Sequence, residues 1–320
     1  MTLASLVEER RIVICTGTGG VGKTTTAAAV AIEAARRGRR AVVVTIDPAK
    51  RLADALGLGA LGNEPALIAG DWPGELYALQ LDTKSTFDGL VARYAPSEEQ
   101  AERILANRFY RNLSGALSGT QEYMAGEKLY ELHDGADFDL VVVDAAATGH
   151  IVAQLGAADA IRELVDVGPL RSQTQWVSDI LADPAITAVN VVTTPEEMPV
   201  VETIELVERI RTDVHVPLGT VIVNRVLPEL FTRADDETFE ALRAPERTAL
   251  LTQRIGRGAT DVLDAARLAV SLRRTGATHL EQLRQAVDLP LLYVPYLFVR
   301  AHGLRVTRMV ADALGAELGL

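Results

Sequence analysis

The stretch GTGGVGKTTT, residues 17–26, decides how the rest of the chain is read. Two loop patterns overlap on it. Gly17, Gly19 and Gly22 satisfy G-x-G-x-x-G, the dinucleotide fingerprint, with Asp47 at the end of the next apolar run in the place of a ribose-binding acid. Gly17, Gly22, Lys23 and Thr24 satisfy G-x-x-x-x-G-K-[ST], a pattern that demands a lysine and a hydroxyl at fixed places. A dinucleotide loop has no use for either group, so the second pattern is the one that accounts for the residues present. It predicts that Gly19, Gly20, Val21, Gly22, Lys23, Thr24 and Thr25 bind the phosphates of a nucleotide, the backbone N–H groups of the turn converging on them at a helix N-terminus. Lys23 would reach the β- and γ-phosphates and the Thr24 hydroxyl would ligate Mg²⁺.

Working outward, such a site needs an acid at the end of a second buried strand to hold the metal's water shell. DLVVVDAAATGH, residues 139–150, supplies Asp144 there. The alternative is an acid that merely terminates a strand. The small residues after it make a turn suited to a switch whose backbone senses a γ-phosphate, with Gly149 as the candidate sensor.

Further apolar, β-branched runs recur at 11–16, 41–46, 76–81, 188–193, 219–224 and 291–296. Their apolarity is continuous rather than alternating, which predicts strands buried on both faces of a parallel sheet. Helical segments lie between them, for example 24–37 and 199–212, where Ile204, Val207 and Ile210 recur at near-helical spacing. The fold class predicted is α/β: a doubly wound, mostly parallel sheet P-loop NTPase core in a single domain spanning 1–320. Three segments, about 84–137, 150–184 and 227–287, are helix-like and too long for simple crossovers, and are read as insertions that form a helical subdomain.

The composition, 48% hydrophobic and 23% charged, is that of an ordered globular chain. Its formal net charge of −11 opposes nucleic acid and anionic membrane as partners. RRGRR at 36–40 and LRR at 272–274 are read as solvated helix ends. The sequence contains no apolar run long enough for an integral membrane segment and no secretory leader pattern, so a cytoplasmic location is expected. Cys15 is the only cysteine, within the apolar run IVIC, and reads as a buried inert thiol.

With these motifs assembled, the chain resembles the ArsA-like ATPases, the group that contains the arsenite-pump ATPase and the guided-entry factor that targets tail-anchored membrane proteins. The resemblance rests on GTGGVGKTTT, TIDPAKRLADAL (45–56), DAAATGH (144–150), IVNR (222–225) and VPYLF (294–298), and extends over essentially the whole chain. It implies an ATP hydrolase with ATP and Mg²⁺ as cofactors, and assigns Asp47 to orient the attacking water. A helix N-cap is the other reading of Asp47. The resemblance further implies that Asn224 hydrogen-bonds the adenine edge and that Pro295 packs on the ring. It implies a homodimer, or a heterodimer with a paralogue, that closes around two ATP molecules and passes the change to a protein client.

The chain departs from that pattern in two ways. The family's loop carries a lysine where this one has Thr18, and that lysine reaches across the dimer to the partner's nucleotide. Turnover is then slow, or a paralogue supplies the charge, or another cation replaces it, with Lys50 and Arg51 the nearest in sequence. The single cysteine disfavours arsenite as cargo and a zinc clamp at a dimer seam. Apolar stripes at 150–181 and 259–272 are read as the core of the helical subdomain, with a groove for an apolar client helix as the alternative. Two further functions remain beside the leading one: a partition or division-site ATPase, and a nucleotide-dependent scaffold subunit with little turnover.

Overall fold

The computed structural model describes residues 3–107, 120–135, 137–164, 169–229, 232–256 and 258–316. Eight strands form one sheet: β1 (Ile12–Gly17), β2 (Arg40–Thr45), β3 (Ala66–Leu67), β4 (Glu75–Gln80), β5 (Leu140–Ala147), β6 (Thr187–Thr193), β7 (Leu218–Val226) and β8 (Leu291–Pro295). Their order across the sheet is β3-β4-β2-β5-β1-β6-β7-β8. Every pairing is parallel except that of the two-residue edge strand β3, which runs antiparallel to β4.

The apolar runs are continuous because the two faces of the sheet feed two separate cores. Val13 and Cys15 of β1, Val43 of β2 and Val142 of β5 pack with the helix Lys23–Arg36, all of whose Ala, Val and Ile side chains are buried, and with the helix Leu304–Ala316. Ile12, Ile14, Val42, Val44, Val141 and Val143 point the other way, against the helices Thr120–Asp134, Thr148–Leu164, Pro169–Ala182, Glu197–Arg209 and Gly258–Ala286. Side chains alternate along a strand, so a strand between two helical layers must be apolar at every position.

The three long segments hold the helices Thr83–Tyr94, Glu98–Ala106, Thr120–Asp134, Thr148–Leu164, Pro169–Ala182, Arg233–Leu242, Pro245–Ile255 and Gly258–Ala286. Residues 108–119, 136, 165–168, 230–231 and 257 of those segments lie outside the described residues. One expectation changes. The stripe at 259–272 does not close on a core of its own: Val262, Leu268 and Leu272 are 68%, 60% and 52% exposed. On that helix Gly276 and Leu283 are buried farther along, where it meets the sheet layer, and Ala259 is buried at its start.

The basic clusters are structural. Arg36 pairs with Glu33 and Asp312, joining the helices at 23–36 and 304–316. Arg37 pairs with Glu8. Arg39 donates to the carbonyls of Val7, Arg10 and Asp139, and Arg40 pairs with Glu75 and lies over the rings of Tyr77 and Phe138. Arg273 donates to the Leu227 carbonyl. These guanidiniums tie their elements to neighbouring ones, and the expectation of a solvated helix end at 272–274 is corrected: Arg273 lies inside the helix Gly258–Ala286 and is engaged with Leu227.

One glycine at the end of β1 is required by close approach. Gly17 has φ 147°, and a Cβ there would lie 2.0 Å from the Val192 carbonyl oxygen on β6. Since the obstacle is backbone, Gly17→Ala is expected to destabilise the fold by about 2–4 kcal/mol, through overlap and an unfavourable dihedral together. A urea midpoint within error of wild type would show that β1 and β6 separate freely at this point.

Candidate functional site

β1 lies at the centre of the sheet, and the phosphate-loop sequence follows directly from its C-terminal end. In an open α/β sheet that crevice is where ligands bind. The loop turns sharply at Gly20 (φ 80°) and Gly22 (φ 97°), and Gly22 is the N-cap of the helix Lys23–Arg36. A glycine cap has no side chain to satisfy the first turn, and the first intrahelical bond runs from the Thr26 N–H to the Gly22 carbonyl at 2.9 Å. The N–H groups of Lys23, Thr24 and Thr25 therefore have no intrahelical acceptor, the arrangement at a helix N-terminus that can take an anion. Gly19 and Gly20 form the exposed tip of the loop, and Val21 is buried beneath it.

Asn224, at the end of β7, supports the loop from below. Its Nδ2 donates to the Val21 carbonyl at 2.8 Å, its Oδ1 accepts from the Arg225 N–H at 2.9 Å, and a Cβ on Gly22 would come within 2.4 Å of that Nδ2. The side chain expected at the adenine edge thus ties β7 to the phosphate loop in this conformation.

A cleft of about 1260 Å³ opens over the loop. Gly19, Gly20, Gly22, Lys23, Thr24 and Thr25 of the loop line it, together with Asp47, Arg51, Asp144, His150 and Gln154. Val21, Gly149, Asn224 and Pro295 lie outside its lining. Gly149 sits in the first turn of the helix Thr148–Leu164, where backbone N–H groups lack intrahelical partners. Pro295 ends β8, beside the exposed Tyr296 and Phe298, whose rings are 4.9 Å apart.

The chemistry centres on Asp144, which is 3% exposed. Parallel register places it opposite Cys15 on β1 and Thr45 on β2. Its Oδ2 accepts from the Thr45 hydroxyl at 2.9 Å, and its carboxylate also bonds the Thr24 side chain. Burial pushes the Asp144 carboxyl above its ordinary range, opposed by the bonds from Thr24 and Thr45 and by the Lys23 charge. Burial likewise lowers the Lys23 ammonium, with Asp144 opposing, Arg51 adding and Asp47 opposing. Lys23 Nζ donates to the Thr18 carbonyl at 2.9 Å, so the ammonium is held over its own loop. Burial, and secondarily Asp144, raise the Cys15 thiol far above its usual value, which keeps it inert.

A divalent cation fits this donor set. A buried carboxylate that two hydroxyls satisfy only in part, in a region where desolvation disfavours its charge, is a site that lacks positive charge. Among the described residues no cluster of three or more His, Cys, Asp or Glu side chains could hold a metal ion.

Asp47 is engaged at both oxygens. Oδ1 accepts from the Ala49 N–H at 2.9 Å and Oδ2 lies 3.3 Å from an Arg51 nitrogen. The carboxylate therefore caps the turn before the helix Arg51–Leu56 while facing the cleft. Thr18 turns inward: it is 4% exposed and its hydroxyl is buried without a partner. Lys50 is exposed and lies outside the cleft lining, whereas Arg51 lines it.

Sequence reasoning missed several lining residues. Gln154 is 8% exposed with a buried, unpartnered Oε1, one helical turn beyond His150 on the same face. The i, i+4 spacing was visible, but its direction depends on how the helix sits on the sheet. His302, Val306 and Thr307 come from the far end of the chain, where the Thr307 hydroxyl donates to the Ala55 carbonyl at 2.6 Å.

Comparison with known proteins agrees with this geometry. The model of a family described as anion-transporting ATPase matches residues 10–167 and 154–253. The chain is 29% identical to the ATPase BagA of Mycobacterium tuberculosis over 313 residues, 88% of this chain and 90% of that protein. It is 26% identical over 295 residues to a putative arsenical pump-driving ATPase of Halobacterium salinarum, covering 87% of this chain but 44% of that one. It is 28% identical over 184 residues to the ATPase GET3 of Malassezia globosa, 54% of this chain and 53% of that protein. A phosphate loop on the central strand of a mostly parallel sheet, a buried acid on the neighbouring strand and a family match over most of the chain lead to one conclusion: the chain belongs to the anion-transporting ATPase family, a family of ATP hydrolases.

Proposed function

We propose that the chain is a cytoplasmic, Mg²⁺-dependent ATPase that works as a dimer, its nucleotide state governing the binding and release of a protein client. The observation that carries the reading is the buried Asp144 carboxylate, bonded to the hydroxyls of Thr24 and Thr45 beside an uncapped helix N-terminus. No helix among the described residues is long and apolar enough to cross a membrane.

The N–H groups at the start of the helix Lys23–Arg36 bind the phosphates, and Lys23 leaves the Thr18 carbonyl for the β- and γ-oxygens, exchanging a neutral acceptor for charged ones. Thr24 and, through water, Asp144 would hold Mg²⁺, which supplies charge neutralisation across the β- and γ-phosphates. Asp47 orients a water for in-line attack from the C-terminal end of β2. Gly149 and its neighbours at the start of the helix Thr148–Leu164 respond to the γ-phosphate. Asn224, once its amide leaves the Val21 carbonyl, and Pro295 would serve the base beyond the cleft lining.

Leu250, Ile255, Val262, Leu268 and Leu272, all more than half exposed on the helices Pro245–Ile255 and Gly258–Ala286, supply apolar surface for a client. With Cys15 buried, thiolate capture of arsenite is not part of the proposal. The inward Thr18 side chain favours a second reading, a nucleotide-dependent scaffold with little turnover.

The test is phosphate release by the purified chain with Mg²⁺ and with EDTA, alongside light scattering in ADP and in ATP. We expect turnover only with Mg²⁺ and a dimer mass in ATP. Turnover that persists in EDTA, or a monomer in every state, would overturn the proposal; tight ATP binding without turnover would select the scaffold.

A further inference from the structure

Phosphoryl transfer spreads negative charge over the equatorial oxygens of the moving group, and catalysis depends on positive charge placed to meet it. Among the described residues that line the cleft, two side chains carry a permanent positive charge, Lys23 and Arg51. The phosphate loop itself brings only Lys23, since Thr18 is uncharged and folded inward.

Arg51 is placed where local structure alone would not put it. It opens the helix Arg51–Leu56, and the N-terminus is the end of a helix least suited to a cation. Its side chain is 68% exposed, and its partner, four residues earlier on the same lining, is the Asp47 carboxylate at 3.3 Å. An exposed pair of this kind is weak. The charge of Arg51 nevertheless reaches the loop, where it adds to the lowering of the Lys23 ammonium.

We propose that Arg51 is a catalytic residue: when ATP enters, its guanidinium leaves Asp47 and contacts the γ-phosphoryl group, supplying from the same chain the second positive charge of the transition state. The inference rests on the ATPase reading above. In the step it serves, the water oxygen bonds to the γ-phosphorus as the bond to the β–γ bridging oxygen breaks. The electron pair of that bond leaves with ADP, and the water's proton ends on the phosphate product. Departure of Arg51 also frees one oxygen of Asp47 to accept from that water, so one movement arms both groups. The guanidinium fork matches phosphate geometry as an ammonium does not.

The experiment compares wild type, Arg51→Ala, Arg51→Lys and Lys50→Ala for kcat, for affinity towards ATPγS, and for affinity towards Mg·ADP with aluminium fluoride, which mimics the transferring group. Arg51→Ala is expected to lower kcat by about 100-fold and to weaken the fluoride complex by a similar factor, with the ATPγS Kd within about threefold of wild type. Arg51→Lys should recover about tenfold of the loss, and Lys50→Ala should stay within about twofold of wild type, because its side chain lies off the cleft. If wild type turns over ATP and Arg51→Ala does so within threefold of it, the role of Arg51 falls alone. Equal weakening of the ATPγS and fluoride complexes also overturns it, since that marks ordinary binding or misfolding. A wild type without turnover removes the ATPase reading and the role of Arg51 together.

Discussion

Asp47→Asn lowers kcat by about 100- to 10,000-fold, the range for a positioned acid–base group, while the folded protein and its ATP affinity stay close to wild type. The substitution separates the two roles this residue can have. As a cap, Asp47 offers Oδ1 to the Ala49 N–H, and an asparagine offers the same oxygen in the same place. As a water-orienting group, it needs the charge and the second acceptor oxygen, Oδ2, which in asparagine becomes an amide nitrogen that can only donate. A cap alone therefore predicts unchanged turnover, and a catalytic carboxylate predicts its loss. The Asp47–Arg51 pair is also broken, but at a half-exposed position that costs at most about 1 kcal/mol of stability. Steady-state phosphate release, mant-ATP binding and a thermal melt on one preparation decide the matter. A variant that melts with wild type and hydrolyses ATP at the wild-type rate would leave Asp47 as a capping residue.

Much of the architecture was legible because its physics is local. Seven apolar runs coincide with β1, β2, β4, β5, β6, β7 and β8, since a strand covered on both faces leaves a mark at every position. β3 left none: two residues, both exposed, are too short for any period. The loop was legible down to its helix cap, since positive φ at Gly20 and Gly22 is what glycine at those positions permits. What the sequence does not contain is strand order, and the finer site depends on it. Thr45 meets Asp144 because β2 lies beside β5, 99 residues later in the chain, and Asn224 meets the Val21 carbonyl across 203 residues. The same limit applies to Lys50 and Arg51. They are adjacent in sequence, yet the phase of one short helix puts Arg51 in the cleft lining and Lys50 outside it. Gln154 was invisible for a related reason, since a polar residue on an amphipathic helix declares itself only once the neighbouring sheet fixes which face is inside.

Asp144→Asn is expected to abolish Mg²⁺-dependent turnover, by about a thousandfold or more, and at the same time to stabilise the nucleotide-free protein. The two effects share a cause. Burial holds the Asp144 carboxyl above its ordinary value despite the bonds from Thr24 and Thr45, so without a cation the ionised side chain opposes folding. A carboxyl whose folded value is raised contributes most below its unfolded value, and that contribution is lost as pH rises through the folded one. Above its folded value the wild-type carboxyl carries a buried charge that an amide of the same shape would relieve. The asparagine carbonyl still accepts from Thr45, and the rise in Tm should be about 2–4 °C, as for removal of other functional strain in a protein of this size. It should shrink on acidification towards the folded value of Asp144, where the wild-type carboxyl becomes neutral too. Mg·ADP should close the gap from the other side, raising the Tm of wild type more than that of the variant, because the missing charge is part of what the cation binds. Melts at several pH values, with and without Mg·ADP, test this. A variant that melts below wild type in the absence of ligand would mean that Asp144 is stabilised by its two hydroxyls alone, and that its place in the sheet owes nothing to a metal.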